Sequence, residues 1–427
     1  MDLMEKVVSL CKRRGFIFQG SEIYGGYAGF WDYGPLGVEL KNNIKKQWWK
    51  DMVYKRDDIV GLDAAIIMNP KVWEASGHLK AFTDPLVECK ICHKRFKAED
   101  EEVLKAHGSE HDGKIAWTET KTFNLMTEVM LGVVEPKEKA YLRGEITQGV
   151  FVNFRNVVDS TRVKIPFGIA QIGKAFRNEI TPGNFTFRSR EFEQMELEYF
   201  VEPDEAGSKK TFDFWKEERM KWYVSLGINK EKLRFREHEP EKRAHYARLA
   251  EDIEYNAPFG WSEFEGIHHR GDYDLGKHKL TYKEEGGKEY TPWVIETSGG
   301  VDRATLFFLL DAYHEDEKRV VLKLSPKIAP FKVAVFPLLS NKDELVKKAK
   351  DIYKHLRDEV EIVAAWDDRG NIGKRYFAQD EIGTPWCVTV DFQTLEDDTV
   401  TIRDRDTAKQ ERIKVDKLDE YLQNRLR

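Results

Sequence analysis

The sequence predicts an α+β protein with an antiparallel sheet flanked by helices, followed by a separate α/β domain. The length of 427 residues exceeds the roughly 250 to 300 residues at which a single hydrophobic core stops growing. The segment Lys174 to Phe200 reads as two strands joined by a turn, the pattern of an antiparallel hairpin. From residue 329 onward, strand-like and helix-like segments alternate, as they do in α/β domains.

The composition excludes several classes of protein. Hydrophobic residues make up 41% of the chain and aromatic residues 12%, so a disordered protein is excluded. Apolar runs are short and the charged start is unlike a secretory signal, so we expect no membrane segment and a cytoplasmic location. The 69 Lys and Arg nearly balance the 75 Asp and Glu, so a nucleic-acid partner would be bound by local groups of residues.

The first 255 residues contain a helix, an extended stretch and two charged blocks. An amphipathic segment over 38–54 predicts a helix, and 59–70 is extended and ends at a proline. Between Pro85 and Thr118 the sequence is highly charged, which indicates a small unit inserted into a larger domain. A second charged block, 202–255, is interpreted as a helical insertion.

The predicted hairpin carries mixed charge. We expect its turn at Pro182, Gly183 and Asn184. The two-residue period of the second strand separates an inward apolar face from an open polar face; the first carries Met195, Leu197, Tyr199 and Val201, and the second carries Gln194, Glu196 and Glu198. With Arg177, Arg188 and Arg190 nearby, a ligand bearing phosphates and an amine would suit this hairpin. A solvent-exposed, salt-bridged hairpin explains the same charges.

The segment 291–313 predicts a second anion site. An apolar strand ends at Glu296, a small-residue turn follows through Ser298, Gly299 and Gly300, and a helix begins near Val301. Free amide hydrogens at a helix start bind anions, and Arg303 would add a fixed charge for phosphate. The alternative is an ordinary helix whose N-terminus is stabilised by Asp302.

The inserted unit has the spacing of a zinc site. Cys89 and Cys92 are followed by His107 and His111, a ligand spacing seen in zinc knuckles. Four protein ligands leave no open coordination position, so the predicted zinc is structural. The alternative is a charged insertion in which the Cys pair binds no metal.

Together these segments resemble the motifs of class II aminoacyl-tRNA synthetases. The pattern Phe176, Arg177, Glu179, loop, Arg188, Phe192, Glu196 resembles motif 2, and Gly300 to Arg303 before an apolar helix resembles motif 3. The helix and extended stretch ending at residue 70 resemble motif 1, the dimerisation element. Four segments are similar in sequence to homodimeric glycyl-tRNA synthetases: YGPLGVELKNNIK, MNPKVWEASGH, REFEQMELEYF and ETSGGVDR. The resemblance covers essentially the whole chain.

The resemblance implies a domain organisation. The class II catalytic core would span 1–84 and 119–328, with motif 1 near 37–70, motif 2 near 174–200 and motif 3 near 291–313. The zinc-binding knuckle would be 85–118, the helical insertion 202–255, and an α/β anticodon-binding domain 329–427. Within that last domain we expect Arg369, Lys374 and Arg375, beside Trp366 and Tyr376, to read RNA bases.

The resemblance also implies a ligase that consumes ATP and attaches glycine to its tRNA through a glycyl adenylate, as a homodimer. Arg177 would hold the α-phosphate, Arg303 the γ-phosphate, and Phe192 would stack on adenine. Glu263 would bind Mg²⁺ with ATP, because a hard cation prefers carboxylate oxygen. The implied ATP-binding residues are Arg177, Asn178, Glu179, Phe187, Arg188, Arg190, Phe192, Glu263, Phe264, Gly300, Val301, Asp302 and Arg303.

Glycine has no side chain, so its selection is expected to come from carboxylates that hold the ammonium and from a pocket with no space for a methyl group. Arg270 would face the glycine carboxylate. The implied glycine-binding residues are Lys97, Glu145, Phe192, Gln194, Glu196, Arg270, Glu296, Ser298 and Gly300. Departures from the family pattern occur at Gly144, Ile146, Thr147, Gly183 and His268.

Three alternatives stay open at the level of sequence. A synthetase for another small amino acid would share the class but not the three-acid pocket. A non-catalytic RNA-binding relative would keep the fold, although such proteins lose phosphate-binding arginines that are present here. A zinc-finger regulator would explain only the inserted unit.

Overall fold

The computed structural model describes residues 1–114, 116–244 and 246–426. The helices are α1 (Leu3–Arg14), α2 (Pro35–Trp49), α3 (Pro70–Ala75), α4 (His78–Ala81), α5 (Glu101–Glu110), α6 (Thr147–Ser160), α7 (Glu205–Ser225), α8 (Tyr273–Lys277), α9 (Val301–Ala312), α10 (Asp343–Asp358), α11 (Ile372–Ile382), α12 (Phe392–Asp397) and α13 (Leu418–Leu426). Within these described ranges, no helix has the length and apolar character needed to cross a lipid bilayer.

The strands form one large sheet, one medium sheet and several small ones. They are β1 (Ile17–Gln19), β2 (Trp31–Tyr33), β3 (Ile59–Leu62), β4 (Thr83–Glu88), β5 (Arg95–Lys97), β6 (Lys121–Asn124), β7 (Thr127–Leu131), β8 (Glu138–Leu142), β9 (Phe167–Phe176), β10 (Glu191–Val201), β11 (Leu233–Glu237), β12 (Leu249–Ala257), β13 (Gly260–Gly271), β14 (Tyr282–Lys283), β15 (Glu289–Tyr290), β16 (Trp293–Gly300), β17 (Tyr313–Glu315), β18 (Val320–Leu322), β19 (Val333–Pro337), β20 (Ala364–Trp366), β21 (Trp386–Val390), β22 (Thr399–Asp404) and β23 (Gln410–Lys414).

The large sheet has seven strands in the order β11, β12, β13, β16, β10, β9, β3, and every pairing is antiparallel except that of β3 with β9. Helices cover both of its faces. On one face Leu197 and Ile295 join the core formed with α7 and α9. On the other face Phe200 and Val294 pack against Phe151 of α6. The predicted α+β class with a predominantly antiparallel sheet is confirmed.

The predicted hairpin is present, but its connection is longer than expected. β9 pairs with β10 from Phe167 opposite Phe200 to Phe176 opposite Glu191. The loop between them spans 177–190 and closes locally where Gly183 and Arg188 exchange two backbone hydrogen bonds. The expected turn residues therefore lie inside a larger loop rather than directly between the strands. The face that carries Gln194, Glu196 and Glu198 is buried rather than open, because α6 lies over that side of the sheet.

The interpretation of 202–255 as a helical insertion is wrong in its second half. Residues 205–225 form α7, but β11 and β12 add two strands to the edge of the large sheet. The charges there alternate with the strand period: Arg234 on the edge strand donates to Glu254 on its neighbour at 2.7 Å. Cross-strand ion pairs account for a charge density that resembled a helix surface.

The junction of β16 and α9 also differs from the sequence prediction. No turn separates them: the strand continues through Gly299 and Gly300, and α9 begins at Val301. Glycine gives these neighbours room at 299, since an added Cβ would lie 3.1 Å from both the Glu265 carboxylate and the Tyr223 hydroxyl. The helix therefore starts directly at the end of the strand.

The C-terminal part of the chain forms the predicted α/β unit. Its sheet has the order β20, β19, β21, β22, β23, with the first three strands parallel. Helices α10 and α13 pack on one face and α11 on the other. Helix α11 contacts the part of the chain before this unit, since Arg319 donates to Asp380 at 2.7 Å and Arg13 to Glu381 at 2.9 Å.

The structure changes the expectation for the RNA-reading residues. Arg369 is exposed, but Arg375 is buried and donates to four backbone carbonyls, among them that of Pro337. Tyr376 is buried as well and bonds Thr389. Arg375 therefore stabilises the interior of this domain and is not available to RNA. The exact domain boundaries stay predictions.

Candidate active site

An acidic pocket lies on the face of the large sheet beneath α6. We use that name for Glu145, Glu196, Glu198 and Glu296. Glu196 and Glu198 project from β10 and Glu296 from β16, and the carboxylates of these three lie within 4.8 Å of one another. Each of the four is less than 9% exposed. Acids this close cannot all be charged without cations or hydrogen-bond donors beside them.

Glu196 accepts three side-chain hydrogen bonds. Its two oxygens accept from Thr147 at 2.6 Å, from Gln194 at 2.7 Å and from Ser298 at 2.5 Å. These donors come from three elements, α6, β10 and β16, so the carboxylate is fixed in orientation. Despite these donors, burial and then the charge of Glu296 raise the pKa of Glu196 to about 8.

Glu296 is held by a buried guanidinium. Arg270 donates to Glu296 at 2.7 Å and to Asp274 at 2.7 and 3.0 Å, and its guanidinium lies 3.8 Å from the centre of the Tyr246 ring. Three of its five N–H groups are therefore engaged, and the expected role of facing the glycine carboxylate stays a prediction. Burial opposes ionisation of Glu296, but Arg270 and then His268 outweigh it and lower the pKa of that carboxyl.

Glu145 enters the acidic pocket from the segment before α6. His78 Nε2 lies 3.2 Å from its Oε1, and Gln148 donates to the same oxygen at 3.3 Å. Burial opposes its ionisation, yet His78, followed by Arg270 and Arg177, holds the pKa of Glu145 far below its usual range. His78, which the sequence allowed either to approach the glycine pocket or to be a structural histidine, is thus a partner of a predicted glycine-binding residue.

An arginine group lies beside the acidic pocket; it consists of Arg177, Arg188, Arg190 and Arg303. Arg177 donates to the carbonyl of Gly144, next to Glu145, at 3.0 Å. Its guanidinium lies 5.2 Å from the ring centres of both Phe82 and Phe192. Phe192 is therefore beside the predicted phosphate-binding arginine.

Arg303 projects from the first turn of α9. It donates to the carbonyl of Phe187 at 3.3 Å and lies 4.6 Å from the centre of that ring. Its ion pair with Glu263 spans 2.9 Å, and this charge holds the pKa of Glu263 below its ordinary value. The Glu263 side chain is 49% exposed, so its carboxylate is accessible to solvent and to a cation.

The other arginines extend the group along the 177–190 loop. Arg190 donates to the carbonyls of Glu179 at 3.0 Å and Ala28 at 3.2 Å, while Arg188 lies 4.0 Å from Asp100 of the insertion. The Glu179 side chain is buried, and its Oε2 has no hydrogen-bond partner in the described part of the chain. Asn178 is exposed at the start of the loop.

Four predicted site residues are positioned differently from the expectation. Val301 and Phe264 are fully buried in the core that contains α9. Asp302 accepts from Lys41 at 2.8 Å, from Tyr33 at 2.5 Å and from the Glu193 amide at 2.6 Å, so it anchors α9 to α2 and β10 and does not cap its own helix. Lys97 pairs with Asp84 inside the insertion.

Comparison with known proteins identifies the family. A model of the tRNA synthetase class II core domain (G, H, P, S and T) matches residues 131–313, and a model of the anticodon binding domain matches residues 332–425. The glycine–tRNA ligase of Borreliella burgdorferi strain B31 is 51% identical over 439 residues, covering 99% of this chain and 97% of the relative.

The chain belongs to the glycine–tRNA ligase family. The relative from Thermobifida fusca is 50% identical over 461 residues, covering 100% of this chain and 98% of its own. The relative from Clostridium acetobutylicum is 50% identical over 463 residues, with 99% of both chains covered. Membership makes the protein a class II aminoacyl-tRNA synthetase, as the motifs over 174–200 and 291–313 predicted.

A candidate zinc site lies in the insertion of this family member. Ligand atoms of Cys89, Cys92, His107 and His111 all lie within 4.8 Å of one another, and Cys92 Sγ is 3.3 Å from His107 Nε2. The other nitrogen of His107 contacts Glu110 at 2.9 Å, which is the carboxylate support that zinc-bound imidazoles usually have. His111 Nε2 is buried and has no partner within the described residues. Two thiols and two imidazoles in this geometry fit zinc.

Several residues of the site were not found by sequence reasoning. Thr147 donates to Glu196 from a helix 49 residues earlier in the sequence, and only the fold brings the two together. Asp274, four residues after Arg270, accepts from its guanidinium. Glu198 was recognised as part of the polar strand face but received no role. Its two-residue spacing from Glu196, already visible in the sequence, was the signal that could have included it.

Proposed function

We propose that this protein attaches glycine to its cognate tRNA in two steps. The glycine carboxylate attacks the α-phosphate of ATP, forming glycyl adenylate and releasing pyrophosphate. The terminal ribose hydroxyl of the tRNA then takes the glycyl group and releases AMP. The observation that carries the proposal is the acidic pocket, which is buried and adjoins the arginine group through Arg177 and Glu145.

The first step needs positioning more than acid–base chemistry. A carboxylate nucleophile is already ionised at pH 7, so the protein must align it with the α-phosphate and neutralise the phosphate charge. We assign Arg177 to the α-phosphate and Arg303 to the γ-phosphate, with Phe192 against adenine. Arg177 and Arg303 are held through backbone carbonyls and aromatic rings rather than by buried ion pairs, so their charge remains available to phosphate.

The use of ATP and Mg²⁺ follows from membership of the class. We assign Glu263 to the Mg²⁺ that accompanies ATP, because its carboxylate is solvent-accessible and lies beside the arginine assigned to the γ-phosphate. The ion would neutralise phosphate charge. Glu263 would then exchange its pairing with Arg303 for the cation when ATP arrives.

Glycine is selected by charge and by lack of space. Glu145, Glu196 and Glu296 would hold the ammonium from the segment before α6, from β10 and from β16, and α6 packs closely on these two strands. Arg270 holds Glu296 in place. A pocket that cannot expand excludes larger side chains sterically, so a separate editing site is not required.

We also propose that the insertion binds a structural zinc ion, that the protein is a homodimer and that it acts in the cytoplasm. Val38, Tyr54, Ile66 and Ile67 lie on the segment that resembles motif 1 and are at least 37% exposed, which supports an interface there.

Zinc would be checked by metal analysis of Cys89→Ser, with His93→Ala as the control, since His93 is exposed and outside the cluster. Equal zinc content in both variants and wild type would refute the proposed zinc site.

The experiment that tests the function is exchange of labelled pyrophosphate into ATP with glycine, alanine, serine or proline as the only amino acid. Exchange with glycine alone is expected. Exchange with another amino acid would retain the class but refute the substrate, and a folded protein that binds RNA without any exchange would refute the catalytic role.

A further inference from the structure

Glu198 is a buried acid for which the proposed reaction has no use. Its side chain is 0% exposed, and neither carboxylate oxygen has a hydrogen-bond partner among the residues that the structure describes. Glu198 lies two residues from Glu196 on one face of β10 and stands directly opposite Glu296 on β16. The acidic pocket therefore contains one carboxyl group more than its hydrogen bonds support.

Charged groups face Glu198 from four elements. Glu196 lies on its own strand, Glu296 on β16, Arg270 on β13 and Asp274 on α8. Arg270 is the cation of this set, and its donors go to Asp274 and Glu296. His268 contacts Glu296 at 3.3 Å and not Glu198. Glu198 thus faces three other acids and a guanidinium that is already engaged.

Electrostatics decides which of these acids carries a proton. A buried carboxylate without donors is far less stable than the neutral acid, and a neighbouring negative charge increases the difference. Burial and then the charge of Glu296 raise the pKa of Glu198 well above its ordinary value. Glu296, with Arg270 beside it, keeps its charge. The two opposed carboxyl groups on β10 and β16 are therefore in different protonation states.

We propose that Glu198 is a neutral carboxylic acid throughout glycine activation and is a positioning residue of the acidic pocket. Because it is neutral, the negative charges beneath the ammonium are limited to those of Glu145, Glu196 and Glu296, and Glu296 is not repelled from the orientation that Arg270 sets. The inference rests on the proposed activation of glycine. When glycine binds, its ammonium displaces the proton of Glu196, which leaves for solvent, while Glu198 retains its own.

Infrared difference spectroscopy tests the protonation without any substrate. At pH 7 the Glu198→Gln variant is expected to lose part of the carbonyl stretching band of protonated carboxylic acids. Glu202→Gln is the matched control: Glu202 follows the same strand, its side chain is 58% exposed and it pairs with Lys288, so its removal should leave that band unchanged. An unchanged band in Glu198→Gln means that Glu198 is ionised and overturns the proposal.

Steady-state kinetics test the positioning role. Glu198→Gln, a neutral group of the same shape, is expected to keep the KM for glycine within about twofold of wild type. Glu198→Ala leaves a gap beside Glu296 and should raise that KM about tenfold or more without changing the KM for ATP. If both variants lose glycine affinity, Glu198 acts as an anion; if neither does, it positions nothing. Either result refutes the proposal.

The two tests separate this inference from the proposed function. A protein that activates no glycine but shows the band loss in Glu198→Gln would refute the function and leave the protonation assignment intact. A protein that activates glycine but shows no band loss in Glu198→Gln would support the proposed function and refute the protonation assignment.

Discussion

The acidic pocket and the arginine group lie next to each other on one sheet, yet they are built in opposite ways. In the acidic pocket each charged group except Glu198 is fixed by charged or hydrogen-bonding side chains, as Arg270 is by Asp274 and Glu296. In the arginine group Arg177 and Arg303 rest on backbone carbonyls and ring faces, the ion pair of Arg303 with Glu263 is solvent-accessible, and both arginine side chains remain partly exposed.

The difference suits the ligands proposed for the two groups. Glycine presents a small ammonium and no side chain, so a preorganised buried field can hold it, and rigidity supplies selectivity. A triphosphate is large and highly charged, so arginines with unused donors can bind it when it arrives. Substitutions in the two groups distinguish a pocket that is structural as well as functional from an arginine group that is functional only.

The largest effect is expected on folding, from Arg270→Met. Removing the guanidinium leaves Asp274 and Glu296 buried without their counter-charge, which typically costs about 3 to 5 kcal/mol. The free energy of unfolding of the catalytic part, from urea titration followed by tryptophan fluorescence, measures this. A loss below about 1 kcal/mol would show that the pocket does not depend on its ion pairs.

The next effect is catalytic, from Arg303→Ala. Loss of a positive charge that stabilises the phosphates in the transition state should lower the rate of pyrophosphate exchange about 10² to 10³-fold. The unfolding transition should stay close to that of wild type, because Arg303 is partly exposed. Arg155→Ala, on the exposed side of α6, serves as the control and should exchange normally.

The third prediction concerns pH. Glu196 has a raised pKa of about 8, so it is protonated in the free protein below pH 8 and must lose that proton to hold an ammonium. The KM for glycine should therefore fall roughly tenfold per unit as the pH rises from 6 towards 8, and then level off.

His268 is the competing source of that pH dependence. Its pKa is raised because the nearby Glu296 charge outweighs the effect of burial, so its deprotonation would act in the same direction. Glu196→Gln separates the two groups: its KM should be high and nearly independent of pH above 7. A dependence as steep as that of wild type would assign the titration to His268.

A smaller effect is expected from Ser298→Ala. This change removes one of three donors to Glu196, the one at 2.5 Å, and should raise the KM for glycine about tenfold while the KM for ATP is unchanged. Pyrophosphate exchange at varied glycine and ATP concentrations gives both values. Equal changes in both constants would contradict the assignment of Ser298 to the glycine side.

The smallest effect is expected from Arg188→Ala on stability. Its partner Asp100 is 4.0 Å away and both side chains are 38% exposed, so the pair should contribute less than about 1 kcal/mol. Urea unfolding as for Arg270→Met provides the comparison. A loss as large as that of Arg270→Met would show that the arginine group supports the fold as well.

Sequence periodicity predicted which residues of β10 share a face, but not whether the polar face is buried. Alternation separated Leu197 from Glu196 and Glu198 correctly, because the strand period depends on the backbone alone. Whether the polar face is open depends on what lies over it, and α6 comes from a segment nearly fifty residues earlier. The same limit applies to Arg270: its residue type indicated charge, while its partner Glu296 lies 26 residues later on β16.

Local composition misled where strands carry charge. The block 202–255 looked helical because Arg and Glu are dense there, yet Arg234 and Glu254 pair across β11 and β12. The small residues 298–300 looked like a turn, yet they form a strand whose glycine accommodates Glu265 and Tyr223. In both cases a contact distant in sequence, invisible to any local pattern, decided the conformation.

The absence of a loop between β16 and α9 determines which part of the site can move. Asp302 is tied to Lys41, Tyr33 and the Glu193 amide, so the next residue, Arg303, sits on a joint that has no hinge. The 177–190 loop, by contrast, lies between two strands and carries Arg188 and Arg190, so we expect any rearrangement around ATP to occur there. Substitutions in the loop should therefore alter the rate of nucleotide binding. Substitutions around Asp302 should alter the geometry of the bound nucleotide.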